Sequence, residues 1–321
     1  MKLDRRKFLE RSLLGAAGLA LPVLEGCSKA TSGTARSVVG LLDTREAMGA
    51  RGGLDVSLAG GDYVAEPDNY LAFGLIRRRG APIAGADALV WLVPSADPQA
   101  PVGVQGPFAA PWYSYAKPDP GGPVRGINAT EVRFGRPGVW TLVAEATTSN
   151  GALLGSAALQ VKAKEAADTL IPGERALPSQ TPTVADHRGV EPICTRQPPC
   201  DMHRVTLADA VAAGKPVAFT VGTPRFCRSR VCGPNLEELI VVSQEVGDRI
   251  TFVHAEVYRD DQTQTIINQL TAPTFVEWGL QSEPWLFLID RSGLIVSRFE
   301  GPLTAAQIRV ATKPLLAGVN G

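Results

Sequence analysis

Between residues 54 and 162 the apolar positions fall in short runs: Leu54–Leu58, Leu71–Ile76, Ala88–Val93, Thr130–Phe134, Val139–Ala144 and Ala157–Val161. Turn-forming residues separate them at Gly80, Pro82 and Gly85, at Pro118–Gly122 and at Arg136–Pro137–Gly138. Short runs bounded by Gly and Pro predict the strands of an all-β sandwich. Residues 163–203 are rich in Pro, Thr and Ala, hold no sustained period, and read as an interdomain linker. From residue 204 the pattern changes to alternating helices and strands. Leu207–Ala213 predicts a short helix, Pro216–Val221 a buried strand, and Asn235–Val246 a helix with apolar residues at helical spacing. Ile250–Val257 predicts the next strand, and Thr265–Trp278 helical segments broken near Pro273. Trp285–Ile289 and Leu294–Phe299 predict a hairpin across the turn Asp290–Gly293, and Thr304–Lys313 a final helix ended by Pro314.

The first residues follow another pattern. Met1–Arg11 is basic, with Arg5–Arg6 followed by Phe8–Leu9, and Ser12–Leu24 is uncharged and rich in Leu and Ala. That apolar stretch suits a signal peptide and is shorter than the ~20 residues a spanning helix needs. It ends in Leu24-Glu25-Gly26-Cys27, which resembles a bacterial lipobox, with Glu25 where a small residue is usual. The paired arginines resemble a twin-arginine export signal. The resemblance implies a lipid on Cys27, a tether over residues 28–53, and a folded part on the extracytoplasmic face of the cell membrane. The alternative is a plain N-terminal anchor with an incidental cysteine.

Composition narrows the chemistry. Lys+Arg equals Asp+Glu at 32 each, so the chain lacks the electrostatic footprint of a nucleic-acid binder. The five cysteines are Cys27, Cys194, Cys200, Cys227 and Cys232. Giving Cys27 to lipid leaves two close pairs in an oxidising compartment. Cys194 and Cys200, around Pro198–Pro199, read as a structural disulfide. A soft-metal site for Cu(I), built from Cys194, Cys200, Met202 and His203, is the weighed alternative.

The most informative constellation is the buried strand Val217–Val221 running into Gly222-Thr223-Pro224-Arg225-Phe226-Cys227, then Cys232 and a helix. Further on, Glu283-Pro284 precedes the hydrophobic strand Trp285–Ile289, the hairpin and the terminal helix. This order resembles the thioredoxin superfamily from about Val205 to the C-terminus. The β region, with Pro137–Leu142 resembling a turn and late strand, looks immunoglobulin-like and reads as a spacer or docking module. The thioredoxin resemblance implies Cys227 as the attacking cysteine at a helix start, Cys232 as its resolving partner and Pro284 as the cis-proline facing them. It implies no cofactor and no metal, and partners among exported protein thiols or a redox partner.

The spacing departs from that family, which has two residues between the cysteines where this chain has four. At ~100° per residue, cysteines five apart face different sides of a regular helix. Either Cys227 lies in the loop before the helix, which Gly233-Pro234 favours, or the first turn unwinds. Arg225, Arg228 and Arg230 add positive charge if they face the sulfur, and otherwise form a solvated loop surface. A peroxiredoxin arrangement is not matched, because Pro224 and Thr220 occupy its Thr and Pro positions. His254 lies mid-strand and reads as a core histidine rather than a copper ligand, and Glu256 on the same strand face is a speculative proton acceptor. The reading is thiol-disulfide exchange on exported proteins. Its alternative is a non-catalytic thioredoxin-like binding module or copper carrier with a structural disulfide.

Overall fold

The computed structural model describes residues 53–95, 103–118, 122, 124–149, 151–260 and 270–317. The leader, Cys27 and all of the tether but Gly53 lie outside the described residues. Among the described residues no helix is long and apolar enough to cross a membrane.

Among the described residues, nine strands make up the β unit: β1 Leu54–Leu58, β2 Tyr63–Val64, β3 Asp68–Arg77, β4 Ala88–Pro94, β5 Gln105–Ala110, β6 Trp112–Ser114, β7 Gly126–Arg133, β8 Gly138–Thr148 and β9 Gly151–Lys162. They form one continuous sheet, β5-β4-β8-β9-β1-β3-β7-β6, with β2 paired to β9. Only Pro111 separates β5 from β6, so the chain steps directly from one edge of the sheet to the other. The sheet thereby curls into a barrel-like form around Phe73, Phe134, Trp140 and their neighbours, where the expected sandwich would have two separate sheets. The Asn128 side chain donates to the carbonyls of Ala86 and Ala110, fastening the closing edge. Strand β8 starts at Gly138 with φ of 123°, a conformation that favours glycine. The strands β2, β5 and β6 are too short or too polar to show as apolar runs.

The α/β unit contains α1 Leu207–Ala212, β10 Val217–Val221, α2 Cys232–Val246, β11 Thr251–Ala255, α3 Pro273–Glu277, β12 Trp285–Ile289, β13 Ile295–Glu300 and α4 Ala305–Leu316. Its sheet has the order β11-β10-β12-β13, with β10 parallel to β11 and antiparallel to β12. Along the chain, the described helices and strands follow one another in the order that the hydrophobic pattern predicts; residues 261–269 of the helical stretch expected over Thr265–Trp278 lie outside the described residues. Every residue of β10 and β12 is buried, which is why both read as unbroken apolar runs. Alternation still divides them: Ala218, Leu286 and Leu288 pack under α2 and α4, while Phe219, Phe287 and Trp285 pack on the α1 side. Helix α4 runs through Pro314 instead of ending before it. The lost amide bond would have served Val310, which is exposed enough for water to serve instead.

Residues 163–203 have little regular structure yet pack closely on the α/β unit. Gly173 and Ala176 donate to the carbonyls of Ile295 and Gly293. The Trp278 indole donates to Ser179 Oγ at 2.9 Å, and Thr181 Oγ1 accepts from Leu207 N. The β unit also contacts the α/β unit directly. Arg298 pairs with Asp62 at 2.7 Å, both side chains almost fully buried, and Glu300 accepts from the amides of Gly61 and Asp62. Tyr70 donates to the Pro302 carbonyl, and Glu238 joins Ala116 N to Ala305 N.

Candidate functional site

The loop leaving β10 carries Cys227 and ends where α2 begins, at Cys232. Cys227 therefore lies before the helix. A turn holds it: its amide donates to the Thr223 carbonyl, and its own carbonyl accepts from Arg230 N. Arg230 takes a φ of 58°, which returns the chain to the helix start. Because Cys227 is outside the helix, five-residue spacing does not send the thiols to opposite faces. Both sulfurs and a Glu283 carboxylate oxygen lie within 4.8 Å of one another. The Glu283–Pro284 bond is cis. Gly222 fits between Pro284 and Cys232, where an added Cβ would meet Pro284 Cβ at 3.4 Å and Cys232 Sγ at 3.8 Å.

The two thiols differ in their ionisation. A hydrogen bond from Cys232 is the main influence bringing the Cys227 thiol down to about 5, against the effect of burial. Ser229, 3.2 Å from the sulfur, and the amides of Cys232 and Val231 at the helix start contribute further. Burial pushes the Cys232 thiol well above its ordinary value, helped by its donation to Cys227. Burial and the neighbouring Cys227 charge push the Glu283 carboxyl up to about 8. Arg225, Arg228 and Arg230 are exposed, and the Arg225 guanidinium lies over the Phe226 ring.

The β unit covers this site. Val124 packs against Cys227, Val231 and Cys232. A cleft of about 560 Å³ reaches Cys227, lined by Lys117 and Pro118 of the β unit and by Arg196, Arg225, Arg230 and Glu237.

A second cluster lies one strand away. Cys194 and Cys200, expected as a disulfide, stand as free thiols with sulfurs 3.8 Å apart. His254 Nδ1 of β11 is 3.5 Å from Cys200 Sγ, 3.9 Å from Cys194 Sγ and 3.1 Å from His203 Nε2. All four residues are buried. Hydrogen bonding from Cys200, with support from His203 and His254, holds the Cys194 thiol far below its ordinary value. Donation to Cys194 and burial push Cys200 far above it. The two clusters are joined. His254 Nε2 donates to the Gly222 carbonyl at 2.9 Å, and Thr195 Oγ1 accepts from Arg225 N while donating to Glu256.

The structure thus brings Cys227, Cys232 and Pro284 together, and separately brings Cys194 and Cys200 together with two histidines. Glu256, the speculative proton acceptor, is buried and accepts from the amide and hydroxyl of Thr195. Sequence reasoning missed the raised carboxyl of Glu283 beside the sulfurs, the Ser229 donor and the meeting of His203 with His254. Position beside Pro284 and two residues after Cys227 were the available signals for the first two. Val124 carried no signal, since it comes from the other unit.

No family model matches the chain, and no curated protein sequence matches it significantly. Among solved structures, the chain is similar to StoA from Bacillus subtilis, at 18% identity and a TM-score of 0.26 over 31% of this chain and 84% of that one. It is similar to a DsbF homologue from Corynebacterium diphtheriae, at 20% identity and a TM-score of 0.28 over 36% and 79%. It is also similar to the PKD domain of human SorCS2, at 13% identity and a TM-score of 0.19 over 47% and 95%. These scores are too low to carry weight, and the functional reading rests on the cysteine geometry.

Proposed function

We propose that the chain is a thiol-disulfide oxidoreductase of thioredoxin-like fold acting on exported proteins. In this reading a lipid on Cys27 holds it to the extracytoplasmic membrane face after twin-arginine export, and an immunoglobulin-like β unit flanks its site. The observation that carries the chemistry is the asymmetric pair: a low thiol at Cys227, open to a cleft, beside a high thiol at Cys232. A thiolate is the attacking species in disulfide exchange. Cys227 attacks one sulfur of a substrate disulfide, releasing the other as a thiolate and forming a mixed disulfide. Cys232 then loses its proton, attacks Cys227 Sγ and expels the second substrate thiolate. Two electrons pass to the substrate and the protein is left with a Cys227–Cys232 bond. The reverse sequence oxidises a dithiol substrate. Glu283, in reach of Cys232 and with a carboxyl near 8, is placed to take the proton that Cys232 loses.

Changing Cys232→Ser should trap the mixed disulfide, seen as a reductant-sensitive band at higher mass in membrane extracts. Changing Cys227→Ser should abolish it. A Cys227–Cys232 bond that resists strong reductant in the folded protein would exclude exchange and leave a binding module.

A further inference from the structure

We propose that Cys194, Cys200, His203 and His254 form a closed site for one zinc ion per chain, separate from the Cys227–Cys232 pair. The four donor atoms lie within 4.8 Å of one another, and every ligand is at most 9% exposed. Their separations, as they stand, fit a metal better than a bond between the sulfurs. A disulfide needs sulfurs ~2.05 Å apart, whereas these stand at 3.8 Å. A tetrahedral zinc ion with bonds of ~2.3 Å to sulfur and ~2.0 Å to nitrogen sets its donors ~3.8 Å apart for S–S, ~3.5 Å for S–N and ~3.3 Å for N–N. The structure gives 3.8 Å for S–S, 3.5 and 3.9 Å for the sulfurs to His254, and 3.1 Å between the histidines.

The surroundings fit the same ion. His254 Nε2 donates to the Gly222 carbonyl, which fixes the tautomer and leaves the Nδ1 lone pair for a metal. Cys200 N–H points at Cys194 Sγ at 3.4 Å, a donor suited to a thiolate. Net charge separates zinc from copper. Two thiolates and two neutral imidazoles around Zn²⁺ sum to zero, whereas Cu⁺ would leave a buried negative charge, which is costly. Met202, a donor in the copper reading, packs in the core beside α2, and His254 stands in its place as fourth ligand. Binding leaves both sulfurs as thiolates and transfers no electrons. The ion would pin the irregular residues 194–203 to β11, beside the loop that positions Cys227.

The test measures bound metal in the full chain, purified reduced and then offered Zn²⁺ alone or Cu⁺ alone. One zinc per chain should be found. It should persist in the Cys227→Ser/Cys232→Ser double variant and fall at least ten-fold in Cys194→Ser and His203→Ala. In the unaltered protein, zinc should shield Cys194 and Cys200 from alkylation until a chelator is added, a readout that needs no variant to fold. The proposal is overturned if the unaltered protein takes no zinc, binds Cu⁺ only, keeps its zinc in Cys194→Ser, or yields a Cys194–Cys200 disulfide on isolation. Zinc lost from the Cys227→Ser/Cys232→Ser variant instead would move the metal to the exchange site and overturn it equally.

Discussion

Replacing Ser229 by Ala tests how the reactive thiol is set. The Ser229 hydroxyl lies 3.2 Å from Cys227 Sγ and donates to the thiolate, one of several groups that bring this thiol to about 5. A hydrogen bond to a charged group contributes ~1.5–3 kcal/mol, and Ser229 is exposed, so the lower end applies. At ~1.4 kcal/mol per pH unit, Ser229→Ala should raise the Cys227 value by ~1 unit. Near pH 5 the ionised fraction would drop from about half to about a tenth, and alkylation of Cys227 would slow ~5-fold. Near pH 8 both proteins would be fully ionised there and react alike. Stability should follow the same sign. A folded thiol that ionises below its unfolded value of ~8.5 stabilises the reduced fold fully above that value. The contribution disappears as the pH falls through the folded value. Ser229→Ala narrows that window from its acid side and lowers reduced-state stability at neutral pH. The measurement is the pH profile of iodoacetamide reaction at Cys227, followed on its own peptide, in the reduced protein with and without Ser229→Ala; Cys232 is kept because its hydrogen bond is the main influence on Cys227. An unshifted profile would refute the assignment of Ser229 as a thiolate donor.

Other expectations follow from neighbouring groups. Glu283 has the opposite sign: burial and Cys227 raise its carboxyl to about 8, so its contribution is intact at acid pH and lost as pH rises through that value. Glu283→Gln should therefore leave urea stability unchanged at pH about 4 and increase it progressively toward pH about 8; an equal change at every pH would count against a titrating Glu283. The Asp62–Arg298 pair, at 2% and 8% side-chain exposure, joins the two units. Asp62→Asn should cost ~3–5 kcal/mol in thermal or urea unfolding, because it strands a buried guanidinium. Burial works against the Asp62 carboxylate, but Arg298 and Lys162 hold the group below its ordinary value. That stabilisation should vanish as pH falls through the lowered value, and a loss below ~0.5 kcal/mol would show the pair to be a surface-like contact.

Local pattern determined the elements of this chain. The buried strands β10 and β12 were legible because burial on both faces demands unbroken apolar runs, and the turn at Asp290–Gly293 because its residues form one unaided. Cys227, Cys232 and Pro284 were legible as a set through their order around those strands. Tertiary structure decided what no local period encodes. It settled Cys227 in the loop before α2, the option that Gly233-Pro234 favoured, and it laid Val124 of the β unit over both thiols. It closed the β sheet end to end through Pro111, where Pro107 and Pro111 cut the chain into pieces too short to read as strands. It also brought His254, unremarkable in the middle of a strand, onto Cys194, Cys200 and His203, which lie more than fifty residues earlier in irregular chain. Contacts at that separation depend on where the sheet puts its faces, and a sequence read for its periodicity contains only the faces.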